Sequence, residues 1–70
     1  MTKYIKIEVI VTGAVLFLGI DLEEGQTLSS SDIYSIVSTV CPILIDDVFY
    51  TLSDLEVDCE RLYVLVEELL

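Results

Sequence analysis

Apolar and polar residues alternate from Tyr4 to Val11, placing Ile5, Ile7, Val9 and Val11 on one face and Lys6, Glu8 and Thr12 on the other. Period two predicts a half-buried strand. Thr12-Gly13 is a turn or bulge signal, and Ala14 to Leu22, rich in Val, Leu, Phe and Ile, reads as a second, more buried strand. Residues 4 to 22 are therefore expected to form an antiparallel hairpin. After the polar turn Asp21 to Gln26 the period changes. Ile33, Ile36, Val37, Val40 and Cys41 fall on one helical stripe, with Tyr34, Ser35, Ser38 and Thr39 on the wet side. Ser29 can cap this helix and Asp32 can reach back to the free amides at its start, while Pro42 biases Cys41 out of helical geometry. A helix is predicted over 30 to 41.

The last third supports two readings. As strands, Val48 to Asp58 and Leu62 to Glu68 make a second hairpin, over residues 48 to 68, that turns near Cys59-Glu60-Arg61. As a helix, Ser53 to Glu56 is a capping box and Leu55, Cys59, Leu62, Val66 and Leu69 follow a 4,3,4,3 spacing. Strands are favoured, because Val57, Tyr63, Val64 and Val66 prefer sheets and acid alternates with apolar without a break from Asp54 to Glu60. The expected fold class is α+β: a ββαββ layout in which a four-stranded, mainly antiparallel sheet has one helix packed on one face. With 70 residues the chain makes one small acidic domain, 1–70.

Composition adds two facts. The chain is 54% apolar, with a mean hydropathy of +0.75, more than a core of this size can absorb, so self-association into a homodimer is expected. It also carries 13 acids against 3 bases, a formal net charge of -10. Lys3 and Lys6 lie in the first strand, so from Val9 onward Arg61 alone faces every remaining acid. Such a field repels nucleic acid and anionic membrane and favours basic protein surfaces, and direct nucleic-acid binding is not expected. The apolar run Val9 to Ile20 is too short to span a bilayer, which takes about 20 residues. It also lacks a small-residue cleavage site and follows Glu8, so a cytoplasmic chain without membrane contact is expected.

Nothing points to catalysis. There is no histidine, and no Lys or Arg stands near a Ser or Cys except Arg61, beside Cys59 and Glu60. A nucleophile without a base and an oxyanion without donors make no hydrolase. The neighbouring carboxylate pairs Glu23-Glu24, Asp46-Asp47 and Glu67-Glu68 would point to opposite faces of a strand and read as solvated charge. Asp54 to Glu60 resembles the start of a calcium loop, but Cys59 stands where such a loop turns on Gly and Leu65 where it closes on a bidentate Glu. No catalytic residue, cofactor or metal site is expected. Cys41 and Cys59 read as free, buried small hydrophobes.

What remains is the acidic ladder. On a strand, Asp54, Glu56, Asp58 and Glu60 share one face at about 6.6 Å intervals, a spacing of the same order as backbone phosphates. Asp46, Asp47, Glu67 and Glu68 are expected to extend it at one end of the same sheet. Adjacent charges at that spacing repel by roughly 0.6 kcal/mol each in water, a cost that solubility alone would justify on an edge strand. In size, charge and α+β layout the chain resembles the small acidic inhibitors that bacteriophages and mobile elements carry against host nucleic-acid enzymes. These are above all anti-CRISPR proteins and, more distantly, uracil-DNA glycosylase inhibitors and anti-restriction DNA mimics. The resemblance implies a non-enzymatic inhibitor, working in the host cytoplasm if phage-encoded. It would occupy the nucleic-acid channel of a basic partner such as a CRISPR effector complex or a nuclease. A homodimeric structural or assembly module, its charge serving solubility, is the alternative.

Overall fold

The computed structural model describes residues 1–64. The alternating first segment forms strand β1, Thr2–Val9, in which Ile5, Ile7 and Val9 are fully buried and Lys6 and Glu8 stand half-buried on the other face. The strand lies two residues earlier than the alternation predicted. Val11, expected on the apolar face, is exposed in the turn that follows. There Val9 N–H donates to the Ala14 carbonyl and Gly13 N–H donates to the Val9 carbonyl, each at 2.8 Å. Gly13 takes φ 74°, a conformation that a side chain would strain. Strand β2, Val15–Asp21, returns antiparallel along β1, from Glu8 opposite Val15 to Thr2 opposite Asp21.

Helix α1, Ser30–Val40, begins as its sequence predicts. Ser29 Oγ accepts from Asp32 N–H at 3.2 Å and Asp32 Oδ2 accepts from Ser29 N–H at 3.1 Å, satisfying two amides that the helix start leaves free. Cys41 is already extended, as the following Pro42 requires. Ile33 and Val37 are the buried residues of the helix, and they close the core with Ile5, Ile7, Val9 and Leu55. Each fully buried Ile or Val contributes about 1.5–3 kcal/mol. No helix among the described residues is long and apolar enough to cross a membrane.

Beyond α1 the architecture departs from a single four-stranded ββαββ sheet. Strands β3, Ile43–Ile45, and β4, Val48–Tyr50, form a separate two-stranded antiparallel ribbon. Its turn is Asp46-Asp47, at φ 49° and 65°, a doubly left-handed geometry that suits a two-residue hairpin and that aspartate tolerates better than most residues. Val48 to Asp58 is consequently not one strand. Asp54 Oδ2 accepts from the Thr51 amide (2.9 Å) and hydroxyl (3.1 Å), bending Leu52–Asp54 into a single 3₁₀ turn. Strand β5, Leu55–Val57, then leaves in a new direction and pairs antiparallel with β1. Among the described residues the main sheet is three-stranded, in the order β2-β1-β5. β2, expected to be the more buried strand of the first hairpin, is an edge strand with alternating exposure, and β1 is the central one.

Neither reading of the last third is realised as written. Leu55–Val57 is extended, so no continuous helix runs from Ser53. The turn near Cys59-Glu60-Arg61 does not reverse the chain either. Asp58 N–H donates to the Lys6 carbonyl at 3.0 Å, and Tyr63 exchanges two 2.8 Å backbone bonds with Tyr4, so the chain bulges outward and rejoins the same side of β1. The expected strand beyond residue 64 lies outside the described residues.

Candidate functional site

Residues directly opposite on paired strands share a face. The register therefore builds three cross-strand rows on the sheet face turned away from α1. The first is Glu56, Glu8 and Val15; the second Asp58, Lys6 and Phe17; the third Tyr63, Tyr4 and Gly19. The Tyr4 ring lies 3.1 Å from where a Cβ on Gly19 would sit, so this position has no room for a side chain unless the ring moves.

The four acids of the ladder are not equivalent. Only Glu56 lies within β5, and Glu8 stands directly across from it. Asp54 is engaged by Thr51 in the 3₁₀ turn. Asp58 accepts from Tyr63 Oη at 2.6 Å and from Glu60 N–H at 3.0 Å, which closes the bulge. Glu60 sits exposed in that bulge, and Ser30 Oγ ties the bulge to the start of α1 by donating to the Cys59 carbonyl at 3.2 Å. Asp46 and Asp47 are the tip of the β3–β4 ribbon, a different sheet, and do not extend the ladder. Glu67 and Glu68 lie outside the described residues.

The face also holds two of the bases. Arg61 Nε donates to Tyr63 Oη at 2.9 Å and lies 3.8 Å from Asp58 Oδ2, with its guanidinium 4.6 Å from the centre of the Tyr63 ring. Lys6 Nζ is 6.0 Å from the same ring, and Phe17 meets it edge-on at 5.8 Å. The face thus divides into a cation–aromatic end around Tyr63 and an acidic end at Glu8 and Glu56. The Tyr63 hydroxyl, then the Glu60 amide, hold the Asp58 carboxyl below the usual range, with Arg61 assisting. Burial, helped by the Asp58 charge, pushes the Cys59 thiol up, which suppresses thiolate reactivity. Cys41 and Cys59 are both free.

Along β5 and the bulge opens a cleft of about 420 Å³ lined by Lys6, Glu8, Glu56, Val57, Asp58, Cys59 and Glu60. Glu8 is the acid that the one-dimensional ladder missed. Its signal was present in its polar position on β1, but the register that sets it against Glu56 is a long-range fact. Among the described residues Glu8, Glu56 and Glu60 form no ion pair, and no three potential ligands converge on a metal position. The cleft can offer the Glu8, Glu56 and Glu60 carboxylates to a cationic side chain, with Lys6 as the one base in its lining. No protein-family model, curated protein or solved structure matches the chain.

Proposed function

We propose that the chain is a non-enzymatic inhibitor that binds the basic nucleic-acid-binding surface of a bacterial defence or DNA-processing protein. A CRISPR effector complex or a nuclease is the expected target, in keeping with the anti-CRISPR resemblance. The observation that supports this reading most is the Glu8–Glu56 pair. Like charges directly opposite on adjacent strands disfavour the sheet, and here they open onto a cleft large enough for an arginine head group. Arginine grips a carboxylate with parallel hydrogen bonds much as it grips phosphate. Glu60 adds a third free acid, whereas Asp54 and Asp58 hold the backbone that presents the others. The protein works in the cytoplasm, where such targets reside.

The test is displacement. CRISPR effector complexes and nucleases are loaded with labelled nucleic acid, and its release by the protein is followed by fluorescence anisotropy at rising salt. Release is expected from at least one target, weakening steeply as salt screens the contact. The triple variant Glu8→Gln, Glu56→Gln, Glu60→Gln keeps shape and removes charge, and it should stay folded and lose most of the inhibition. Undiminished inhibition by that folded variant would overturn the acidic cleft as the active surface. A second reading, a homodimeric structural module, is favoured by a different observation: Phe17 on β2 and Leu44 and Phe49 on the ribbon are all exposed.

A further inference from the structure

We propose that two copies of the chain pair antiparallel through β2, in the register that sets Leu18 against Leu18 of the second copy, making one continuous six-stranded sheet. The proposal gives the self-association reading its surface and register, and is independent of the acidic cleft. The first support is the direction of the backbone groups. Val9 with Ala14 and Met1 with Leu22 are hydrogen-bonded pairs at the two ends of the β1–β2 ladder. Strict alternation then turns the N–H and C=O groups of Leu16, Leu18 and Ile20 towards β1 and those of Val15, Phe17, Gly19 and Asp21 outward. No described residue forms a backbone hydrogen bond with those outward groups. They are symmetric about Leu18, so pairing there opposes Phe17 to Gly19 and Val15 to Asp21 of the other copy, twice over. Every outward group finds a partner, with roughly eight hydrogen bonds formed.

The second support is shape. Gly19 carries no side chain to block a neighbouring strand, and its nearest neighbours on this face, the Tyr4 ring and the Thr2 methyl, both come from β1. In this register Phe17 of each copy stands directly across from Gly19 of the other, and its ring, which meets Tyr63 edge-on within its own copy, has only to turn outward to cover that glycine. Aromatic side chains shield cross-strand glycines in this way, and here the exchange is reciprocal. A foreign strand would match the hydrogen bonds but has no built-in reason to supply the ring.

Charge is the third support. Val15 to Ile20 contains none, and Asp21 meets Val15 rather than a second acid. The two Asp21 side chains stand at opposite ends of the seam, roughly 20 Å apart, beyond the screening length of about 8 Å at physiological salt. The acids of β5 lie two strands further from the seam.

Analytical ultracentrifugation at micromolar concentration should return twice the chain mass of 7.8 kDa. Phe17→Lys should return the monomer mass with unchanged circular dichroism, since it removes the ring and places two ammonium groups diagonally across the seam. Register is read by crosslinking in a Cys41→Ala, Cys59→Ala background. Leu18→Cys should oxidise to a covalent dimer, because opposed residues of a non-hydrogen-bonded pair lie about 4.5 Å apart at Cα. Phe17→Cys, whose copies lie diagonally at about 7–8 Å, should not. A wild-type protein that sediments only as monomer overturns both the pairing and self-association. A dimer that survives Phe17→Lys, or that Leu18→Cys fails to trap, overturns the β2 seam and leaves self-association to another surface.

Discussion

The two edges of the main sheet are built on opposite terms. The β5 edge is short, Leu55–Val57, carries Glu56 and is flanked by Asp54 and Asp58, with Glu8 behind and the Arg61–Tyr63–Asp58 cluster locking its end. The β2 edge is more than twice as long, is uncharged from Val15 to Ile20, and ends on Asp21, whose carboxylate accepts from the Thr2 hydroxyl at 2.7 Å. Charge placed only to keep strands from aggregating belongs on the long, flat, apolar edge. Here it is concentrated on the edge that shortness and a bulge already protect. The asymmetry is the one that the two proposals require, with acids on β5 kept for recognition and β2 left uncharged for pairing.

The most disruptive way to examine this contrast is to remove what both edges share. Ile7 is fully buried on the central strand, opposite Leu16 of β2 and Val57 of β5. Ile7→Ala should cost about 2–5 kcal/mol in chemical denaturation, with a single transition, because its cavity faces the helix under both edges. A loss under about 1 kcal/mol, or two separated transitions, would show that the edges are held independently.

Next in size is the lock at the acidic edge. Tyr63→Phe removes the hydroxyl that donates to Asp58 and accepts from Arg61, and should cost about 1 kcal/mol at neutral pH. The pH dependence follows from the direction of the shifts. Asp58 is held low by Tyr63 and then Glu60, and Asp32 by the amide and then the hydroxyl of Ser29. Groups whose folded values are depressed contribute stability that is present above their ordinary range, about pH 4, and is lost as pH falls through the folded values. The melting temperature should therefore drop on acidification below about pH 4, and the gap between wild type and Tyr63→Phe should narrow over the same window. A gap that stays constant into strong acid would mean that the hydroxyl acts on packing and not on the Asp58 charge.

Local features were legible in the sequence to the extent that a short range decides them. The Ser29–Asp32 cap, the stop at Pro42 and the alternation of Ile5, Ile7 and Val9 all act within a few residues, and all are realised. The acidic alternation from Asp54 to Glu60 misled because two side chains compete with the strand ladder. Asp54 turns back to Thr51, and Asp58 reaches Glu60 and Tyr63, so the strand shrinks to its centre. Asp46-Asp47, taken as part of the charged surface, is a turn whose left-handed backbone sets the β3–β4 ribbon apart. The candidate site itself was half legible. Glu56 could be read off, but its pairing with Glu8 depends on which side of β1 the strand docks, and no periodicity encodes that.

The finest test separates a cost tolerated for solubility from one maintained for binding. Glu8 faces Glu56 across the sheet with Cβ atoms about 5 Å apart, a juxtaposition that disfavours the fold by roughly 0.2–1 kcal/mol and less as salt rises. Glu8→Gln keeps the length and polarity of the side chain, so it should raise stability by a few tenths of a kcal/mol at low salt, and the gain should fade at high salt. Removing one charge of a net -10 leaves solubility unaltered. If the pair exists to meet a cationic partner, the same substitution weakens displacement of nucleic acid while the protein becomes more stable. Opposite signs for stability and inhibition would mark Glu8 as held against the interest of the fold. A variant that gains stability and inhibits as well as before would return the acidic edge to the role of a solvated surface.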